Sequence, residues 1–344
     1  MNEQPQSAVS FADKVRFLRQ PESYPERPGA VEAIESHMSW VFLTERHAYK
    51  MKKPVRRPYL DYSTLEARRE NCTAEVRLNR RFAPHVYLGV VPLTVDRAGQ
   101  LCLDGAGEPC EWLVKMVRLP AERTLEAQIV RGAVDEAKLQ DAIRLLTAVY
   151  RELPAAEITA AAYRARFRDA LRENLGAVQD PAFGLASELP EVVAAAQERF
   201  LANHAGLLDA RVESGRIIEG HGDLRPEHVY LTDPPILMDC LEFSRDLRLV
   251  DPVDEFAYLG IECERLGAPR IGELVLETYR ADTGDRPPEL LVDFYASTRA
   301  MLRAKLAIWH LADEHRPDAE KWRTRTLHYL HIAAGYAARL DRGA

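Results

Sequence analysis

Two short segments in the second half of the chain gather residues able to do chemistry. His221-Gly222-Asp223-Leu224-Arg225-Pro226-Glu227-His228 sets an Asp on a short turn beside a His and a Gly, with His228 five positions further on. Asp239 follows sixteen residues after Asp223 and ends the apolar run Ile236-Leu237-Met238, so it projects from the end of a strand. One carboxylate can orient a hydroxyl nucleophile. The other can hold Mg²⁺ on a polyphosphate, because this hard cation prefers carboxylate oxygen. In phosphoryl transfer a protein mostly positions groups and neutralises charge, so this inventory is nearly sufficient. It lacks a cation for the nucleotide phosphates and an anion to hold that cation. Lys50 or Lys52 fits the first role; two apart on a strand, they share a face. Glu75, on a helix, fits the second.

The elements that must carry these residues can be read from pattern. Residues 39–55 hold an apolar run, a polar break at Glu45-Arg46-His47 and a second run, which predicts two strands joined by a hairpin. Before them, short helical pieces are expected up to about Glu35, interrupted by a Pro-rich stretch. Ser63 followed three residues later by Glu66 predicts a capping box and a helix to about Phe82, with Leu65, Cys72 and Val76 on or near its apolar face. Three strand-like stretches come next, YLGVVPLTV, QLCLD and CEWLVKMVRL. From about Leu125 the spacing turns helical, with Leu139, Ile143, Leu146, Val149 and Tyr150 on one helix. Further helices are expected over about 159–176, 187–209, 269–282, 288–312 and 319–340, and residues 217–243 form the one strand-and-loop insert.

The chain has 344 residues, enough for about two domains or lobes and for a large core without staples. Lys plus Arg is 46 and Asp plus Glu 53, a net charge of −7, which argues against a protein with a wholly basic, nucleic-acid-binding surface. Five cysteines, Cys72, Cys102, Cys110, Cys240 and Cys263, lie far apart with no CxxC pair, so they read as core thiols rather than a disulfide framework or zinc site. No apolar run approaches the length of a membrane span, and the first residues show no charged-then-apolar leader pattern. The expectation is a cytoplasmic enzyme with no membrane and no nucleic-acid partner.

HGDLRPEHVYL followed by MDCLEF resembles the catalytic loop and metal-binding segment of the aminoglycoside phosphotransferase family, small-molecule kinases with a protein-kinase-like fold. SWVFLTERHAYKMKKPV, LDYSTLEARRENCTAEVRLNRR and YLGVVPLT resemble one branch of uncharacterised predicted kinases in that family, and the likeness covers about residues 20–312. Some members of the branch carry a C-terminal P-loop ATP-binding domain. This sequence has no GxxxxGK[ST], so a stand-alone version is expected.

The resemblance implies an α+β, bilobal fold: an N-lobe over 1–120 with an antiparallel sheet and a helix, and a mostly helical C-lobe over 121–344, with ATP between them. It implies that Asp223 orients the acceptor hydroxyl and that Asp239 binds metal. His228 falls where the family usually has Asn as a second Mg²⁺ ligand. Lys50 or Lys52 matches the phosphate-binding lysine, with Lys50 slightly preferred, and Glu75 the glutamate that pairs with it. Asp254 matches an Asp that braces the catalytic loop. The strand end from Val114 to Arg118, with Lys115, Met116 and Val117, would be the hinge whose backbone meets adenine. The implied cofactors are ATP and Mg²⁺, with Mn²⁺ an option at His228, because imidazole is a poor Mg²⁺ ligand.

Three departures stand out: His228 for Asn, Arg225 just after the His-Gly-Asp motif, and a hairpin, Thr44-Glu45-Arg46-His47, with no glycine to wrap phosphate. Arg225 could contact a phosphate or an acidic substrate. Blander roles compete throughout. Asp223 can be a turn former, and Glu75 can pair with Arg77, Arg80 or Lys115. His221 reads as a structural loop histidine bonded to backbone or Asp254. Arg299 and Arg303, four apart on one helix face, read as partners of nearby carboxylates before a substrate pocket. Glu262, Glu264 and Asp313 are available to a cationic acceptor. The leading reading is an ATP-dependent phosphotransferase acting on a small-molecule hydroxyl; the rival is a nucleotide-binding regulatory pseudokinase.

Overall fold

The computed structural model describes residues 9–57, 59–312 and 318–342; Asp313 lies outside them. The chain divides into two compact units, Met1–Ala121 with Leu237–Arg245, and Glu122–Ile236 with Asp246–Ala344.

The first unit opens with α1 (Phe11–Leu18), N-capped by Ser10. Then come β1 (Glu32–Glu35), β2 (Ser39–Leu43), β3 (His47–Lys52), the short pair β4 (Arg56–Arg57) and β5 (Leu60–Asp61), α2 (Leu65–Asn79), β6 (Tyr87–Val95), β7 (Leu101–Leu103) and β8 (Glu108–Val117). Six of the strands form one antiparallel sheet in the order β1-β2-β3-β8-β6-β7. The β2–β3 hairpin forms where the polar break predicts it, with Leu43 opposite Ala48. β1 is a correction, since helix was expected there. Glu-Ala-Ile-Glu is a mostly exposed edge strand; charged residues suit an edge because they discourage further pairing, and they leave little strand signal in the sequence.

The start of α2 is shifted by one residue. Thr64, not Ser63, is the N-cap and accepts from the Ala67 N–H at 3.1 Å. Ser63 bonds Asp61 instead, and Glu66 pairs with Arg69 rather than reaching back. A Ser-Thr pair offers two candidate caps, and the Asp61 side chain takes the first.

Alternation along β3 decides what each residue does. Tyr49 and Met51 enter a core with Leu18, Tyr24, Phe42, Leu93, Leu103 and Leu113. Burial of each such side chain is worth about 1.5–3 kcal/mol. Lys50 and Lys52 take the opposite face, toward Glu75 of α2. A buried carboxylate, Glu111 of β8, fixes α1 and α2 on the sheet: Lys14 lies 3.0 Å from one of its oxygens and Arg68 Nε donates to the other at 2.7 Å.

The second unit is helical. It contains α3 (Leu125–Val130), α4 (Glu136–Glu152), α5 (Ala160–Val178), α6 (Leu189–Asn203), α7 (Gly206–Glu213), β9 (Ile218–Glu219), β10 (Val229–Tyr230), β12 (Leu249–Val250), α9 (Pro252–Arg265), α10 (Pro269–Thr283), α11 (Glu289–Trp309) and α12 (Ala319–Leu340), while β11 (Ile236–Leu237) and α8 (Arg245–Arg248) cross the division between units. The helix expected over 187–209 is broken into α6 and α7. The pattern also gave no warning of α9, which is buried nearly all round, with Phe256, Tyr258, Leu259 and Ile261 all in the core. Its buried positions include the carboxylates Asp254, Glu255 and Glu262, charged residues that a sequence reading assigns to a solvent face. α9 packs against α10 and α11, and α11 against α12 and α5.

All five cysteines are free thiols. Cys72, Cys240 and Cys263 are buried as expected, but Cys110 is half-buried and Cys102 exposed. Among the described residues no helix is long and apolar enough to cross a membrane.

Candidate active site

In the first unit the expected residues converge on Glu75, whose side chain is completely buried. Lys50 Nζ lies 2.9 Å from its Oε1 and Lys52 Nζ 2.7 Å from its Oε2. The two lysines, left as alternatives by their spacing, therefore both reach the same carboxylate. Their other partners separate them. Lys50 Nζ lies 2.7 Å from Asp239 Oδ1. Lys52 Nζ bonds Glu242, which also accepts the Tyr62 hydroxyl at 2.6 Å, and the ammonium sits 5.0 Å from the Tyr62 ring centroid. The side chain of Lys52 is 1% exposed and that of Lys50 16%, while Asp239 is 38% exposed. Five charged groups thus form a chain, Asp239–Lys50–Glu75–Lys52–Glu242.

Burial opposes the charge on both lysines, yet Asp239, Glu75 and Glu242 hold Lys50, and Glu242 with Glu75 holds Lys52, well above the ordinary lysine range. Burial likewise opposes the Glu242 carboxylate, and Lys52 with Lys50 pulls it below the usual glutamate value. Glu75 pairs with none of its other sequence candidates. Arg80 donates to the Tyr87 carbonyl, and Lys115 lies over the Tyr49 ring.

Asp239 sits beyond β11 with φ +61°, the left-handed region that few non-glycine residues occupy. Its N–H donates to the Tyr87 hydroxyl at 3.1 Å, and the next N–H, of Cys240, to Asn79 Oδ1 at 2.9 Å. Asn79 in turn donates to the Glu75 carbonyl on α2. Backbone and carboxylate are thus both fixed, the first by Tyr87 and Asn79 and the second by Lys50.

The strand expected to supply the hinge is built into the sheet. β8 is paired with β3 on one side and β6 on the other, so Lys115, Met116 and Val117 lie inside the ladder. The Val117 N–H donates to the Val86 carbonyl at 2.9 Å and that of Arg118 to Arg46 at 2.8 Å. These two donors are engaged by the sheet, not available to a base.

In the second unit Asp223 is held from two sides. Tyr258 of α9 donates to Oδ1 at 3.1 Å, and Arg225 Nε to Oδ2 at 3.0 Å. Arg225 also pairs with Glu227 Oε1 at 2.6 Å and meets His228 Nε2 at 3.2 Å. Burial opposes its charge, but Asp223, Tyr258 and Glu227 hold the guanidinium above its ordinary range. Arg225 is therefore a brace within its own loop.

His228 is buried, and its Nδ1 lies 2.8 Å from the Asp223 carbonyl. A carbonyl only accepts and a guanidinium only donates, so the proton is on Nδ1 and the Nε2 lone pair faces Arg225. Neither nitrogen is presented to a metal in this arrangement, which disfavours the ligand role expected for His228. Among the described residues no group of three or more His, Cys, Asp or Glu could hold a metal ion alone.

The loop brace is also corrected. Asp254 is gripped by Arg299 through two hydrogen bonds of 2.8 and 2.6 Å. The next residue, Glu255, accepts the His221 N–H at 3.0 Å, the Gly222 N–H and the Tyr150 hydroxyl. Burial raises its carboxyl, and those three donors act against the rise. Gly220 tolerates no side chain, since a Cβ there would lie 2.5 Å from Glu255 Oε2. Arg303 pairs with Glu262 at 2.6 Å, so both Arg299 and Arg303 take the carboxylate-pairing role. Sequence reasoning missed Glu242, Tyr62, Tyr258 and Glu255. The signal for Glu242 was its place three residues after Asp239; the others are apolar-looking or one position from the residue chosen.

Solved structures of small-molecule kinases share this architecture. A choline/ethanolamine kinase family protein from Mesorhizobium loti aligns with a TM-score of 0.54 at 15% identity, covering 94% of this chain and 99% of that one. A choline kinase from Cryptosporidium parvum gives 0.52 at 10% identity, covering 96% and 97%. An aminoglycoside 2′-phosphotransferase in its GDP complex gives 0.51 at 14%, covering 90% and 92%. The chain has the α+β, protein-kinase-like fold of the small-molecule kinases. In sequence it is 30% identical over 285 residues to uncharacterised proteins of Mycobacterium tuberculosis and Mycobacterium bovis. That alignment takes in 80% of this chain and 54% of each relative, so the chain spans about half the length of the curated relatives it matches. No family model matches.

Proposed function

We propose that the protein is an ATP-dependent phosphotransferase that moves the γ-phosphoryl group to a hydroxyl of a small molecule. The observation that carries this reading is the placement of Lys50 between Glu75 and Asp239, 2.9 and 2.7 Å away. A buried glutamate aims the ammonium at a half-exposed carboxylate. Mg²⁺ is usually held by one or two carboxylates together with substrate phosphates, and Asp239 fits that donor set. Bound, Mg²⁺ would neutralise charge on the transferring phosphate. Lys50 would contact nucleotide phosphate and Asp239 would hold the metal. Asp223, kept in one orientation by Tyr258 and Arg225, would accept the hydrogen bond of the acceptor hydroxyl. A loose transition state needs orientation of that hydroxyl more than a strong base. Adenine recognition would fall to the chain leaving β8 and to groups there other than the two engaged N–H donors.

The committed ring of His228 and the glycine-free Thr44–His47 turn favour a second reading, a nucleotide-binding pseudokinase. Thermal shift with ATP, with and without Mg²⁺, followed by ADP release in a screen of small-molecule alcohols, separates the two. A phosphotransferase gives a metal-dependent shift and ADP release with an acceptor; a pseudokinase gives a shift and no transfer. The shift follows RT ln(1 + [L]/Kd), so millimolar ATP reveals even weak binding. No shift with ATP and Mg²⁺ overturns both readings.

A further inference from the structure

Glu75 holds two lysines, and one lysine would suffice to aim at phosphate. The second one, Lys52, faces Glu75 at 2.7 Å on one side and Glu242 on the other, with the Tyr62 hydroxyl on the same Glu242 oxygen at 2.6 Å. Lys52 is 1% exposed and Glu242 9%, so nothing as large as a nucleotide phosphate reaches this ammonium without dismantling the cluster. Glu242 lies three residues beyond Asp239 on the same segment. Phe243 continues the anchorage, its ring 5.8 Å from that of Tyr59.

The charges of the five groups explain why two lysines are useful. Asp239, Glu75 and Glu242 bring three negative charges and the lysines two positive ones. If Lys50 turned toward a phosphate, Glu75 and Asp239 would each lose a partner. A buried carboxylate stripped of its cation is strongly destabilised. Lys52 remains on Glu75 throughout, and through Glu242 it ties the Asp239 segment to α2.

We propose that Lys52 and Glu242 are positioning residues: their buried ion pair keeps Asp239 placed for metal while Lys50 is drawn to the nucleotide. This rests on the nucleotide-site reading above and deepens it. It divides the two lysines by role, with Lys50 meeting phosphate and Lys52 permanently structural. Neither Lys52 nor Glu242 touches nucleotide or metal. Their effect reaches the metal through the backbone that carries Asp239, as outer partners of a metal ligand do.

The test titrates Mg²⁺ into the full chain at saturating ATP and reads the thermal-shift midpoint, with no turnover needed. Glu242→Gln keeps the shape and the Tyr62 hydrogen bond but removes the charge that pairs with Lys52. The expected result is a folded protein whose Mg²⁺ midpoint rises about tenfold or more, in the range seen when partners of a metal ligand are lost. A midpoint within about twofold of the wild type overturns the proposal. If Glu242→Gln shows no unfolding transition, Tyr62→Phe decides instead: it deletes one hydroxyl from Glu242 and is expected to raise the midpoint severalfold, and an unchanged midpoint overturns the proposal. The two readings fail differently. A wild type with no ATP–Mg²⁺ shift rejects the nucleotide site itself, whereas a wild type that responds beside a variant that responds identically rejects only the positioning role.

Discussion

The Lys50 ammonium lies 2.7 Å from the Asp239 carboxylate, although the two residues are 189 positions apart in the chain. The pair joins a half-buried residue of β3 to the one residue of its segment held at φ +61°. Under the proposed function each group has a second use, phosphate for the lysine and metal for the carboxylate.

Substitution of the two lysines separates them. Lys50→Met is expected to remove most nucleotide-dependent thermal shift while lowering the ligand-free melting temperature only slightly. Lys52→Met leaves Glu75 and Glu242 without their shared buried cation and is expected to destabilise the fold by about 3–5 kcal/mol. Chemical denaturation of both variants beside the wild type measures this. Equal losses of stability would contradict the division.

Asp223→Ala is expected to lower kcat by about 10²–10⁴-fold, the range for loss of a positioned acid–base group. ATP-induced stabilisation should persist, because the proposed function places Asp223 on the acceptor side of the reaction. Single-turnover ADP formation and thermal shift on the same preparation check both halves. An unchanged rate removes Asp223 from the mechanism.

Arg225→Met removes one partner each from Asp223 Oδ2 and His228 Nε2. Expected outcomes are a kcat at least tenfold lower, near-native KM for ATP and a modest change in melting temperature. A raised KM for ATP with native kcat would assign Arg225 to phosphate rather than to the loop.

Stability should show a pH window set by the buried charge chain. The Glu242 carboxyl is lowered from 4.5, so its contribution is present above that value and is lost as pH falls through the folded pKa. Lys50 and Lys52 are raised above 10.5, so theirs is complete below that value and is lost only as pH rises through their folded pKa values. The stability difference between wild type and Glu242→Gln should therefore be flat from about pH 5 to pH 10 and shrink in acid, as followed by urea unfolding across pH. A difference that grew on acidification would contradict the sign of the Glu242 shift.

The sequence by itself determined most of the elements and the identities of the charged residues. Two apolar runs around the break at Glu45–His47 gave the β2–β3 hairpin, helical spacing gave α4, α5, α10, α11 and α12, and a strand-ending Asp marked the segment at 239. Local order is legible because period and punctuation act within a few residues. It failed at charged β1, on a sheet edge, and at α9, where the buried carboxylates Asp254, Glu255 and Glu262 stand among the apolar positions.

Tertiary structure alone decided partnership. Spacing put Lys50 and Lys52 on one face but could not say which would meet Asp239 and which would be sealed by Glu242. Nor could it show that Glu255 braces the His221–Gly222 backbone while its neighbour Asp254 turns to Arg299. Adjacent helix residues point about 100° apart, so a one-residue choice changes the partner entirely. A carboxylate's role depends on which cations and donors lie within about 3 Å of it. Those come from distant parts of the chain, and only the packed fold brings them together.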